Sequence, residues 1–235
     1  MPSRYLLFLT LLTGILGLCF PAQATPPRTF SEAKQIAWRL YAPQSVEFYC
    51  GCRYQGNRVD LASCGYVPRK NSKRAARIEW EHIVPAWVIG HQRQCWQDGG
   101  RQYCARSDRV FQRAEADLFN LVPSIGEVNG DRGNYRFAWL PQPPTQYGAC
   151  PMVVDFKARK AMPRAKVRGI IARTYFYMSD RYALHLSQQE RQLFSAWNRQ
   201  YPVSTWERQR NQQLACVMGW GNPHVGPVDL ARCPR

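Results

Sequence analysis

Nine cysteines in 235 residues constrain this chain more than any other feature. Cys19 falls in an apolar leader, and the eight that follow it are Cys50, Cys52, Cys64, Cys95, Cys104, Cys150, Cys216 and Cys233. An even number of cysteines behind a leader reads as a disulfide framework in an oxidising compartment, so the fold must bring four pairs together. The sequence does not fix the pairing. Short separations favour Cys52 with Cys64, Cys95 with Cys104 and Cys216 with Cys233, which leaves Cys50 for Cys150. A structural zinc site is the competing use, but Cys50-Gly51-Cys52 is a C-x-C with no second close pair at metal-like spacing.

The leader supports export. Arg4 supplies a positive n-region, residues 5–19 form a short apolar run, and Ala22-Gln23-Ala24 is a small-x-small cleavage site. Residues 1–24 are therefore expected to be a signal peptide and residues 25–235 the working domain, in the periplasm or secreted. No other stretch is long and apolar enough to suggest a membrane span. The formal charge is +16, and removing the leader takes away only Arg4, leaving +15. Such a chain needs an acidic partner: nucleic acid, an anionic surface or an acidic glycan.

Along the chain, Thr29-Phe30-Ser31-Glu32 is a capping box, and Phe30, Ala33, Ile36, Ala37 and Leu40 make one helical stripe. Residues 45–68 alternate in short runs around Gly51, Gly56-Asn57 and Gly65, which predicts hairpins. A basic run, residues 69–74, follows in a polar loop, where it is either solvated surface or a phosphate contact. Residues 78–86 read as a buried strand and its exit, interrupted by Glu81-His82. Asp98-Gly99-Gly100-Arg101 is expected as a glycine turn between Cys95 and Cys104 that presents Arg101. Residues 110–116 are expected to be helical and residues 117–122 a second buried strand, stopped by Pro123. Ser124-Ile125-Gly126-Glu127 reads as a second capping box, opening a helix that carries Asn129. Beyond it, Val167, Ile170, Ile171, Thr174, Tyr175 and Met178 form a helical stripe. Ser187-Gln188-Gln189-Glu190 and Ser204-Thr205-Trp206-Glu207 are further capping boxes whose helices place aromatics in a core. Arg164, Lys166, Arg168, Arg173 and Arg208 are expected as surface charge. With no repeat and no linker, the simplest architecture is a single mixed α+β domain, stapled by disulfides.

A carboxylate, an imidazole and an amide in strand, strand, helix order can hold a hard metal ion and activate water. Residues on consecutive strand positions point to opposite faces, so Glu81 and His82 share a site only where the strand ends or bends. Taken singly, His82 also reads as a core histidine and Asn129 as a C-cap before Gly130.

Together these motifs resemble the endonuclease I family of exported bacterial nucleases. The likeness is carried by residues 79–86 (EWEHIVPA), 94–101 (QCWQDGGR) and 120–132 (NLVPSIGEVNGDR), and it continues through residues 154–157 and 172–178. The resemblance implies a ββα-metal finger in which His82 is the general base, Glu81 and Asn129 bind Mg²⁺ (with Mn²⁺ or Ca²⁺ as substitutes), and Arg101 steadies charge on the phosphate. Glu127 and Arg132 would orient this shell. It further implies an endonuclease acting on DNA, with RNA left open as a second substrate, leaving 5′-phosphates; a monomer is expected, and the charge of +15 without a recognisable groove-reading helix predicts little sequence preference. One departure is Phe119, where the family's Asp-Leu-His-Asn-Leu run has histidine. Two other classes remain: a non-catalytic cationic protein binding nucleic acid or the cell surface, which leaves the Glu-His pair unexplained, and a cell-wall hydrolase, which wants two catalytic carboxylic acids at a cleft.

Overall fold

Residues 24–234 are described by a computed structural model of the chain, so the expected leader lies outside the described residues except for Ala24. Helix α1 (Phe30–Tyr41) starts at Thr29, whose hydroxyl accepts from the Glu32 N–H at 3.2 Å. The Glu32 carboxylate accepts from Arg28 N–H instead of closing the box, so half of the expected motif forms. Ala33, Ala37 and Tyr41 of this helix are buried.

The next segment is shaped by one buried acid. Glu47 accepts backbone N–H bonds from Tyr49, Cys50, Gly51 and Cys52, which curls the chain into a loop carrying two cysteines and Tyr49. One hairpin follows, β1 (Arg53–Gln55) with β2 (Arg58–Asp60) around Gly56-Asn57, where more than one was expected. Helix α2 (Ser72–Ala75) leads into β3 (Ile78–His82). After the exit at Pro85 come α3 (Ala86–Gly90), α4 (Gln94–Ser107) and α5 (Arg109–Glu115). The expected glycine turn is a break inside α4: Gly99 and Gly100 leave helical geometry, Gly100 at φ 66°, and helix resumes at once with Arg101.

Strand β4 (Leu121–Ile125) pairs antiparallel with β3, from Ile78 opposite Ile125 to His82 opposite Leu121. This corrects three expectations. Residues Leu118–Asn120 form a 3₁₀ turn, because the Asp117 carboxylate caps the Phe119 N–H. Pro123 does not stop the strand. It faces Trp80 within the pair, its carbonyl accepts from Phe48, and a two-stranded sheet has only edges, where a missing donor is tolerated. The helix starts later, as α6 (Gly126–Arg132) behind Ile125 with no side-chain cap. The Ser124 hydroxyl bonds the Ile125 carbonyl, and Glu127 turns away to another loop, so no capping box exists there. Gly126 is required by close approach: a Cβ would lie 2.7 Å from the Arg74 carbonyl oxygen and 2.9 Å from the Glu79 carboxylate.

Strands β5 (Arg136–Phe137), β6 (Val153–Asp155) and β7 (Lys160–Met162) form a small mixed sheet in the order β5-β7-β6. Helices α7 (Ala165–Tyr182), α8 (Gln188–Gln200) and α9 (Thr205–Met218) close the fold. All six residues of the α7 stripe are buried. The Ser187 box is complete, whereas at Ser204 only half of the box forms: its hydroxyl accepts from the Glu207 N–H, but the Glu207 carboxylate pairs with Arg173. Arg173 is therefore a core residue, 1% exposed, and not surface charge. Arg164 is likewise committed, donating to the Glu47 and Phe48 carbonyls. One apolar core joins α1, the finger strands and the three last helices, with Phe194 and Trp197 packed inside it. The disulfides are Cys50–Cys150, Cys52–Cys64, Cys95–Cys104 and Cys216–Cys233, the pairing that short separations favoured. The fold is thus α+β, with a ββα finger made by β3, β4 and α6.

Candidate active site

A cavity of about 580 Å³ opens over the end of β3, and its walls include Glu81, His82, Arg101 and Asn129. All four residues singled out by the sequence meet there. The strand-face problem resolves because His82 is the last residue of β3, where the chain bends toward Pro85.

His82 is 7% exposed, with Phe30 of α1 packed on its ring at 4.6 Å between centroids. Its Nε2 lies 2.7 Å from the Glu115 carbonyl oxygen at the end of α5. A carbonyl can only accept, so Nε2 carries the proton and Nδ1 keeps the lone pair. No described residue hydrogen-bonds Nδ1. Burial pushes the imidazole down to about 3, the charges of Arg101, Arg132 and Lys34 push the same way, and only the Glu115 carbonyl opposes them. The ring is therefore neutral across the physiological range.

Glu81 is buried, and its Oε1 accepts from Tyr49 Oη and from Arg132 Nη1, both at 2.8 Å. Tyr49 is delivered by the loop that Glu47 organises. Arg132, fully buried on α6, also donates to the His82 and Ile83 carbonyls and lies 4.5 Å from the centre of the Phe137 ring. It thereby ties the finger helix to the end of β3. Burial raises the Glu81 carboxyl above its ordinary range against the pull of Arg132 and Tyr49. The group is nonetheless an anion at neutral pH, since protonating it would strand the buried Arg132 charge. Oε2 receives no hydrogen bond from the described residues.

Asn129 is oriented by a residue the sequence reading passed over. Its Nδ2 donates to Glu79 Oε2 at 3.1 Å, which leaves Oδ1 free. Glu79 is held by Arg74 and Arg77, and these bonds bring its carboxyl below the usual range although burial alone would raise it. Period two along β3 was the available signal: Glu79 and Glu81 share a face. Two oxygens, Glu81 Oε2 and Asn129 Oδ1, are thus unclaimed on one cavity, and this sparse hard-donor pair suits an ion such as Mg²⁺ that keeps most of its waters. Among the described residues no group of three His, Cys, Asp or Glu side chains is placed to hold a metal by itself.

Arg101 reaches the cavity from the resumed half of α4. Its Nε bonds Glu115 Oε1 at 2.5 Å, and its guanidinium lies 5.3 Å from the Phe30 ring centre. Glu115 thus positions both the arginine, through its carboxylate, and the imidazole, through its carbonyl. Glu127 contributes indirectly by accepting the N–H groups of Arg69, Lys70 and Asn71, which anchors the basic loop beside α6. Within that loop Arg69 is paired with Asp131 and Arg74 with Glu79. Phe119 sits in the core against Tyr177, with ring centroids 5.0 Å apart, and does not line the cavity.

Two antiparallel strands ending on a histidine, with a polar short helix packed over them, define a ββα finger of the kind nucleases carry. The Endonuclease I family profile matches residues 28–228, and the chain belongs to that family. It is 50% identical over 222 residues to an extracellular deoxyribonuclease of Aeromonas hydrophila, covering 90% of this chain and 96% of the relative. It is 49% identical over 230 residues to a periplasmic deoxyribonuclease of the same species, covering 95% and 97%. An extracellular endonuclease of Pseudomonas fluorescens biotype A is 49% identical over 227 residues, covering 90% and 93%. The chain is accordingly an exported enzyme, periplasmic or secreted, in keeping with its disulfides. Among the described residues no helix is long and apolar enough to cross a membrane.

Proposed function

We propose that this chain is a Mg²⁺-dependent endonuclease that hydrolyses phosphodiester bonds of DNA, and of RNA where it is offered, leaving 5′-phosphates. The observation that carries the reading is the fixed tautomer of His82: with Nε2–H spent on the Glu115 carbonyl, Nδ1 is a lone pair available to the same cavity as Glu81, Asn129 and Arg101. His82 takes the proton of the attacking water at Nδ1. The incoming phosphate brings negative charge next to the ring and so favours the imidazolium that the apo cavity suppresses. Arg101 meets the phosphate oxygens and holds charge that develops on them. Glu81 Oε2 and Asn129 Oδ1 would hold the cation, with Arg132 and Glu79 fixing their directions. When bound, Mg²⁺ offers Lewis-acid stabilisation of the phosphoryl and departing oxygens. The protein acts as a monomer after loss of residues 1–24. Few base-reading side chains surround the cavity, so phosphate contacts dominate and sequence preference is slight.

The test is to incubate a plasmid and a ribosomal RNA separately with purified protein, with Mg²⁺ and with EDTA. Metal-dependent nicking and 5′-phosphorylated ends are expected. Undiminished nicking in EDTA would overturn the metal assignment, and binding without any cutting would favour the non-catalytic cationic protein.

A further inference from the structure

A second and larger cleft, of about 1100 Å³, is lined by residues 26–28, by α5 and by the end of α7. Its walls carry Arg28, Arg109, Arg113 and Arg181. All four are exposed, and among the described residues none has a carboxylate within ion-pair distance; the side chains of Arg28, Arg109 and Arg113 make no hydrogen bond, whereas Arg181 bonds the Tyr182 side chain beside the buried Asp117. The one acid on these walls, Asp180, is bonded to His224 at 2.7 Å. Arg181 is held flat, its guanidinium 3.5 Å from the centre of the Trp220 ring. The cleft is also joined to the active site through its own walls. Arg109 and Arg113 stand on α5, the helix whose last residue positions His82 and Arg101, and Arg28 lies two residues before Phe30. From Glu115 back to Arg109 the helix rises roughly 9 Å, a distance that one or two nucleotides span.

We infer that this cleft is a phosphate-binding subsite for the nucleic-acid strand flanking the cut. The inference rests on the nuclease reading above. Arg28, Arg109 and Arg113, which have no internal partners, and Arg181, kept aimed by Trp220 and Tyr182, line one electropositive trough suited to successive backbone phosphates. The site therefore continues along the strand beyond the scissile bond, and affinity for long substrates is set partly there.

The test compares Arg109→Gln/Arg113→Gln with Arg109→Lys/Arg113→Lys, none of which removes a hydrogen bond or buried contact. Binding to a long duplex is measured as a function of salt in a His82→Ala background, so the result does not depend on cutting. The glutamine pair is expected to weaken binding roughly tenfold at moderate salt and to lower the salt slope by about 2, at about 0.9 per lost phosphate contact, while the lysine pair restores the slope. With His82 intact, the glutamine pair should raise KM and leave kcat unchanged. An unchanged salt slope, or a loss in kcat with KM constant, would overturn the inference. A slope that falls as expected in a protein that never cuts would keep the subsite and reject the nuclease reading.

Discussion

Around the finger, three arginines are held by carboxylates: Arg74 by Glu79 and Arg101 by Glu115 on the cavity wall, and the buried Arg132 by Glu81. In the neighbouring cleft, Arg28, Arg109, Arg113 and Arg181 have no such partners. The same side chain does two jobs. Where its charge is internally neutralised it acts as a strut, fixing oxygens and carbonyls in place. Where it is unpaired and exposed, or paired yet half exposed as Arg101 is, it remains available to a ligand. The two uses also differ in screening, since exposed charges fade with ionic strength and a buried pair hardly does.

The largest effect that can be placed on the finger side is His82→Ala, which should lower cleavage by roughly 10²–10⁴-fold while binding, supplied by phosphate contacts elsewhere, is retained. Plasmid nicking and filter binding on the same preparation separate the two. Near-normal cutting would remove His82 as the base. Next is Arg132→Ala, which breaks a fully buried pair and should cost about 3–5 kcal/mol in stability, read by urea denaturation. Glu81→Ala strands the same charge, so its activity loss mixes folding with metal binding. Asn129→Ala is the cleaner probe of the cation. It should weaken Mg²⁺ affinity at least as much as the ~10–100-fold that losing a merely orienting partner costs, with activity recovering at high metal. Failure of added metal to help would show that Asn129 does not bind it.

The smallest effect concerns Asp108, which caps α5 and bonds Arg93. Burial alone would raise its carboxyl, but the Arg93 bond and the Phe111 and Val110 N–H groups bring it below the usual range. A carboxyl depressed in the folded state adds stability above its unfolded value near 3.9, and that contribution disappears as pH falls through the folded value. Wild-type stability should therefore fall below about pH 4, and Asp108→Ala should cost about 1 kcal/mol at neutral pH while flattening that fall. Equal acid limbs in thermal melts of both proteins would reject the role.

The finger was legible in the sequence because its motifs are long and local: the His82 strand, the Asn129 helix and the four short or leftover cysteine pairs all sit where the residue pattern places them. What escaped notice depends on partners distant in the chain. Glu127 looks like a capping residue until residues 69–71 arrive to claim its carboxylate, and Arg173 looks like surface charge until Glu207 meets it from another helix. Pro123 looks like a strand stop unless the sheet is known to have only two strands. Glu115 could not have been singled out at all, because half of its role is played by a backbone carbonyl. Nor does any local pattern gather Arg28, Arg109, Arg113 and Arg181 into one cleft.

The Cys50–Cys150 bridge closes a loop of 100 residues that contains both finger strands and α6. Its second cysteine leaves the ribosome only after about two thirds of the chain has been made. In the chain-entropy picture a closure of that length is worth roughly 4.7 kcal/mol, comparable to the entire margin of many domains. The bridge therefore follows the finger closely in synthesis but closes only where thiols are oxidised. A copy held back in a reducing compartment therefore carries both finger strands and α6 without the covalent clasp around them.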